Sequence, residues 1–261
     1  MSRKDILILP AVFILLLILE NFFPLRKRTQ SFLSRAKDNV LLTVIAFPFT
    51  RFLFYPIFFK LDGLNKQEIF YSFIPSGVLR FILSFLLLDY LLYWWHRFNH
   101  RFSFLWRFHQ VHHTDLDMDA STALRFHFGE LCLSSVVRIF LIFLLGFKLQ
   151  LFFFFDLMVT SLTIFHHSNL RLPSFMEKTL GLFLVTPLYH QTHHSFYQNE
   201  TDSQFSTIFN FWDRLHGTYK GPVEKITIGM PAFPKPLSLF ELLQRPFMAI
   251  KKWPEQFLER K

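Results

Sequence analysis

His109-Gln110-Val111-His112-His113 recurs further along the chain as His190-Gln191-Thr192-His193-His194. Each phrase places imidazoles at i, i+3 and i+4, which on a helix fall on one face about a turn apart. His96 and His100 add an i, i+4 pair just upstream, and all 12 histidines lie between His96 and His216. A lone histidine is usually a hydrogen-bonded core residue. Three clusters of this kind instead form a set of nitrogen donors for one or two transition-metal ions, because neutral imidazole suits iron, zinc, copper and nickel.

Outward from the clusters, the chain is too apolar for an ordinary soluble enzyme: 51% of its 261 residues are hydrophobic, 38 of them Phe, with a mean hydropathy of +0.28. The single cysteine, Cys132, excludes a disulfide framework, a Cys-rich zinc site and a self-contained iron–sulfur cluster. The net charge of +9 is concentrated beside apolar spans and in the C-terminal segment, a pattern for anionic lipid headgroups rather than nucleic acid.

The apolar segments approach the roughly 20 residues that cross a bilayer. Ile6–Leu25 reads as a retained first span. The basic stretch Arg26–Lys37 is cytoplasmic by the positive-inside rule, which puts the N-terminus outside. Asn39–Phe59 crosses back, with kinks expected at Pro48 and Pro56. A mixed-charge loop covers Lys60–Ser72, and Ile74–Trp95 returns to the cytoplasm, ending in the interfacial Tyr93-Trp94-Trp95 directly before His96. Leu131–Phe165, broken at Gly146-Phe147-Lys148, reads as a tight, thin or re-entrant hairpin. It sets Arg138 and Asp156 at similar depth for an ion pair. Every histidine cluster then lies on the cytoplasmic side.

The expected fold is therefore an all-α integral membrane protein, with four to five transmembrane or re-entrant helices and a cytoplasmic histidine-rich helical cap. Residues 1–82 carry the N-terminal spans, 83–246 the histidine domain with its 131–165 hairpin, and 247–261 a basic interfacial tail. Within the cap, Thr186-Pro187 opens a helix as N-cap and first helical residue. Ser238-Leu239-Phe240-Glu241 forms a capping box that opens an amphipathic segment, Leu239–Leu258, expected to lie in the membrane interface.

Neither the Glu-x-x-His signature of soluble di-iron proteins nor the His-Glu-x-x-His of zinc peptidases occurs. The order His-x-x-x-His, His-x-x-His-His, His-x-x-His-His instead resembles the fatty acid hydroxylase/sterol desaturase superfamily of membrane di-iron oxygenases. Asp89-Tyr90-Leu91-Leu92-Tyr93-Trp94-Trp95-His96-Arg97 is similar to its lead-in. Leu124-Arg125-Phe126-His127 with Glu130, and Phe165-His166-His167-Ser168-Asn169, match further motifs. Phe211-Trp212-Asp213-Arg214-Leu215-His216-Gly217-Thr218-Tyr219 is similar to its closing motif. The chain departs at His216, where the family usually has Phe, at Phe128, where it has Pro, and at Gln204-Phe205-Ser206, where it has Asn-Phe-Gly.

The resemblance implies ligation of two iron ions by His96, His100, His109, His112, His113, His167, His190, His193 and His194, with zinc as a substitute metal. His166, His127, Asp89, Arg125, Glu130, Asn169, Asp213 and His216 are candidates for further ligation or for orienting the ligands. Asp89 either accepts from an imidazole or pairs with Arg80 or Arg97. His127, with Arg125 and Glu130, is expected to orient ligands, and His216 to be only a polar side chain at a phenylalanine site. The implied chemistry is O2 activation and hydrogen abstraction from an unactivated C–H bond of a bilayer lipid, giving an alcohol or an alkene. Electrons would come from a separate donor protein, since no flavin or haem motif is present. A zinc-dependent membrane hydrolase or isomerase, and a metal transport or storage protein, are the competing readings. Dependence on O2 separates the first, and ligands beyond the span ends argue against the second.

Overall fold

The computed structural model describes residues 3–64, 74, 77–250 and 253–260. The expected loop Lys60–Ser72 falls largely outside them. The elements are α1 (Arg3–Phe22), α2 (Phe32–Pro48), a π-helical segment (Phe49–Phe54), α3 (Tyr55–Leu64), α4 (Val78–Arg101), α5 (Ser103–His113), α6 (Phe128–Leu145) and α7 (Leu149–His167). Shorter cap helices follow: α8 (Ser174–Leu180), α9 (Pro187–His193), α10 (Gln198–Thr201), α11 (Phe211–Leu215) and α12 (Leu239–Gln244). Among the described residues there is no strand, only isolated bridges such as Pro24 with Leu170.

Among the described residues, four helical stretches are long and apolar enough to cross a membrane: Phe32–Lys60, Val78–Arg101, Phe128–Leu145 and Leu149–His167. The apolar part of α1, Leu7–Phe22, is shorter. The chain thus reads as an all-α integral membrane protein. The second span starts earlier than expected, at Phe32, so half of the supposed basic loop is helix. Between Pro48 and Pro56 the expected kink takes the form of the π segment, which absorbs the missing backbone donors by changing register. Arg51 there lies over the Tyr55 ring, 5.1 Å from its centroid.

The 131–165 hairpin is longer at both ends than its apolar run, because His127 and His166-His167 are recruited to the helix ends. Its helices of 18 and 19 residues each span roughly 27–29 Å, close to the thickness of a hydrocarbon core. Gly146 closes α6 in the left-handed conformation, φ 70°, and donates to Ile142 O, so the reversal is made where a Cβ would be strained. Arg138 and Asp156 form the expected ion pair across the hairpin.

The end of α1, the start of α2, the ends of α4 and α7 and the start of α6 all meet at the histidine side. Leu25 donates to Asn169 O at 2.7 Å there, and α9 packs on α7. The C-terminal segment departs from expectation. Its capping box at Ser238 forms, but α12 stops at Gln244, and the chain continues through 3-10 turns at Arg245–Phe247 and Glu255–Phe257. Trp253 then packs 5.7 Å from Trp106 and donates to Phe196 O, and Arg260 pairs with Glu200. Pro246 ends the helix, and these contacts dock the tail on the cap rather than laying out a continuous amphipathic helix.

Candidate metal centre

Helical spacing first sorts the imidazoles. On α5, His109 and His113 lie one turn apart, while His112 points to the side; on α9 and its C-cap, His190 and His194 pair and His193 diverges. The two phrases therefore interleave. His96, His100, His109, His113 and His193 converge in one group and His112, His167, His190 and His194 in another, each with its ligand atoms within 4.8 Å of one another. Each phrase gives its i, i+4 pair to one group and its odd histidine to the other. All nine histidines named from sequence as ligands are thus brought together.

The outer nitrogens explain how the rings are aimed. Nδ1 of His96 lies 2.8 Å from Phe205 O, Nδ1 of His193 2.7 Å from Ser203 O, and Nδ1 of His100 3.2 Å from Asp202 Oδ1. One loop, Asp202–Phe205, thereby orients three rings of the first group. His109 Nδ1 lies 2.8 Å from Glu130 Oε1, His112 Nδ1 3.3 Å from Arg125 O and His167 Nδ1 2.8 Å from Thr163 O. Carbonyls and carboxylates only accept, so each of these Nδ1 atoms carries the proton and each Nε2 presents a lone pair.

Those lone pairs point at other imidazole nitrogens. His112 and His167 bring their Nε2 atoms to 2.9 Å, His167 and His190 to 3.1 Å, and His109 and His113 to 3.2 Å. Nε2 of His100, His193 and His194 is buried with no partner. A proton does not resolve the crowding. Burial, then the neighbouring imidazoles, push His112, His113, His190 and His194 well below the ordinary imidazole range, and burial with His96 does the same to His193. Neutral imidazole nitrogens converging in this way fit bound cations, and an all-imidazole set suits iron or zinc.

The remaining candidates occupy other stations. Glu130 holds His109 directly; Glu130→Leu should lower activity by about 10–100-fold with most metal retained, checked by turnover and elemental analysis of the same sample. Arg125 acts through its carbonyl on His112, while its guanidinium ties Val111 O and Thr114 at the end of α5 to Asn39 of α2. Asp213 is one step further out. It accepts from Phe205 N, Ser206 N, Tyr189 Oη and Thr218 Oγ1, fixing the loop that orients His96. Asn169 joins Arg26 by two hydrogen bonds and, among the described residues, hydrogen-bonds to no imidazole. His166 lies beside the second group, 4.2 Å from the His190 ring centroid, without being part of it.

Two expectations need correction. Asp89 neither orients an imidazole nor pairs with Arg80 or Arg97: it accepts from Phe209 N and Trp212 Nε1, fastening α4 to the closing motif. His127 is the N-cap of α6. It accepts from Gly129 N and donates to Leu243 O, so it stabilises a helix start and not a ligand. His216 stacks among Tyr90, Tyr93 and Trp94, outside both groups, where an aromatic ring is what the cage takes. The departure at Gln204 keeps the turn at a cost of about 1 kcal/mol: it sits at φ 54°, where its Nε2 donates to Tyr189 O.

What sequence reasoning missed is the polar layer behind the first phrase. Arg35 binds Asp115 through Nε at 2.7 Å, together with Asp119 and Asp117 O, and Arg26 reaches Gln191 and Met118 O. These arginines belong to the stretch read as facing lipid headgroups. The alternation Asp115-x-Asp117-x-Asp119, opposite that stretch in sign, was the available signal.

A cavity of about 290 Å³ opens from the histidines. Its walls are His96, His109, His112, His166, His167 and His190 at one end, and Leu92, Trp95, Leu131, Ser134, Val159 and Arg138 toward the membrane-spanning part.

The family model for fatty acid hydroxylases matches residues 81–218, more than half of the chain and the stretch holding every histidine of both groups. The alkylglycerol monooxygenase of Danio rerio is 32% identical over 174 residues, 64% of this chain and 35% of that protein, and its Homo sapiens counterpart 29% over 172 residues, 63% and 35%. The lathosterol oxidase of Homo sapiens is 25% identical over 204 residues, 76% of this chain and 66% of the relative. An ornithine lipid hydroxylase of Rhizobium tropici is 28% identical over 141 residues, 54% and 42%. The match thus spans about a third of the alkylglycerol monooxygenases. No solved structure matches the chain.

Proposed function

The chain belongs to the fatty acid hydroxylase family, and on that premise we propose that it is an O2-dependent di-iron oxidoreductase that hydroxylates or desaturates a bilayer lipid. The observation that carries this reading is the pair of interleaved imidazole groups, aimed inward by acceptors on Nδ1 and opening on an apolar cavity. His96, His100, His109, His113 and His193 would hold one ion, and His112, His167, His190 and His194 the other. Iron bound there supplies O2 activation and removal of hydrogen from an unactivated C–H bond.

The chain's own residues do the rest. The Asp202–Phe205 loop, Glu130 and the carbonyls of Arg125 and Thr163 fix ring orientation and tautomer, so the donors are arranged before metal enters. Leu92, Trp95, Leu131 and Val159 line a path of hydrocarbon character that admits a lipid and disfavours water. α4 and α6 flank this path, so we place the lipid entrance between them. Electrons come from a separate donor protein, and basic groups around the cap favour an acidic one.

Protein purified under reducing, iron-replete conditions should carry two metal ions per chain by elemental analysis and convert lipid only with O2; one ion or none with activity intact overturns the reading. Activity with zinc and without O2 would make it a hydrolase or isomerase. The orientation we propose, histidines in the cytoplasm and N-terminus outside, predicts that a cysteine introduced at Lys66 is labelled from outside and one at Lys225 only after permeabilisation. Labelling of both from one side reverses it.

A further inference from the structure

Resting on that reading, one pair of charges inside the membrane-spanning part bears on what the lipid looks like. Arg138 lies eight residues beyond Glu130 on α6, about 12 Å from the His109 end by helix rise, and as far from the Gly146 turn, so it sits near mid-span. Its partner is Asp156 on α7. A purely structural ion pair at that depth would be sealed, because unpaired polar groups in hydrocarbon cost several kcal/mol and nothing there replaces water. This one is not sealed: the two side chains are 32% and 33% exposed.

For Arg138 the exposure has a direction. Arg138 lines the far part of the 290 Å³ cavity and also a neighbouring one of about 40 Å³, between Leu88, Leu91 and Leu92 of α4 and Phe152 and Phe155 of α7. A guanidinium has five N–H donors. Asp156 takes one of them, and among the described residues no other acceptor hydrogen-bonds to Arg138. Ser134, one turn back on α6, lines both cavities beside it, Ser135 spends its hydroxyl on Leu131 O, and Thr160 spends its own on Asp156 O. Arg138 is the one Lys or Arg among the residues lining the two cavities, so its guanidinium is the charged donor they offer to a ligand.

We propose that Arg138 and Asp156 form a station for an uncharged oxygen of the lipid substrate, a hydroxyl, ether or ester oxygen about 12 Å from the carbon that is oxidised. The pair is already neutral, so a neutral acceptor completes the donor set without leaving charge in the bilayer. A carboxylate would leave a net negative charge there. A hydroxyl can also donate to Asp156.

The test uses the full-length, metal-loaded protein in lipid nanodiscs, with 1-hexadecanol, hexadecane and hexadecanoic acid as probes. Wild type should bind hexadecanol at least about tenfold more tightly than either of the others. The double replacement Arg138→Leu with Asp156→Leu, which removes both charges and keeps an apolar filling, should bring hexadecanol and hexadecane within about twofold while metal content stays the same. A hexadecanol carrying a diazirine beside the hydroxyl carbon should label residues 134–138 or 156–160 of the wild-type protein, a readout independent of whether the variant folds. Equal binding of the three probes, tighter binding of the acid, a preference that survives in the double variant, or labelling elsewhere overturns the station. Metal content and O2-dependent lipid turnover, measured on the same wild-type sample, report separately on the di-iron reading: their loss sinks that reading, whereas their presence without the hexadecanol preference sinks the station alone.

Discussion

His112→Ala and His113→Ala, one residue apart, should remove different metal ions. His112 faces His167, His190 and His194, and its loss leaves three imidazoles in that group; His113 belongs with His96, His100, His109 and His193, and its loss leaves four. The first variant should purify with close to one ion per chain and lose more than about a hundredfold of its turnover, exceeding what loss of a merely orienting residue costs. The second should retain more metal while also losing turnover, because the surviving four imidazoles still enclose a cation but with altered geometry. His193→Ala should behave like His113→Ala and His194→Ala like His112→Ala. Elemental analysis paired with an O2-dependent lipid assay decides it; identical metal loss in neighbouring variants would show that the groups are not separate sites. His216→Phe is the control. Its ring lies in an aromatic cage with Nε2 buried and unpartnered, so phenylalanine should leave metal and turnover unchanged and raise stability by about 1 kcal/mol.

Periodicity revealed that His109, His112 and His113 share a helical face, because helix geometry is local and the phrase spells it out. It could not reveal that the face straddles two sites. Which group His112 joins depends on α7 arriving with His167 from the other side, and such long-range packing leaves no trace in spacing. The spans were legible for the same reason as the phrase, since some twenty apolar residues have few other uses. Their ends were not, because His127 and Phe128 look like cap sequence yet start α6. The orienting groups were the least legible. Phe205, Ser203, Thr163 and Arg125 act through backbone carbonyls, which every residue has, so side-chain identity carries no signal there. Asp89 and Asp213 were visible as acids in motifs, but their partners are backbone and indole N–H groups donated from elsewhere in the fold.

The arginines of the Arg26–Lys37 stretch were misread because positive charge beside an apolar span has two physical uses, and only the fold distinguishes them. Arg35 is 5% exposed and its partners Asp115 and Asp119 are 2% and 0% exposed, so the network is a buried one joining α2 to the segment just after the first histidine phrase. Burial alone would raise the Asp115 carboxyl, but Arg35 and Arg125 outweigh it and hold it at about 2, below its ordinary value of 3.8. A carboxylate lowered by folding stabilises the fold above the unfolded value and loses that contribution as pH falls toward the folded one. Wild type should thus lose about 2 kcal/mol between pH 4 and pH 2 from this group. Arg35→Ala leaves Asp115 and Asp119 buried without their main countercharge and should cost about 3–5 kcal/mol, whereas replacing Arg35 and Asp115 together by leucine should cost less than the single change. Because Arg35 also braces Thr122 and the carbonyl of Asp117, the single variant should bind metal more weakly as the end of α5 loosens. Denaturant unfolding in detergent from pH 2 to 7, with metal content measured on the folded fraction, tests both parts. A loss under about 1 kcal/mol for Arg35→Ala at neutral pH would mean that these charges are solvated and that the stretch faces headgroups after all.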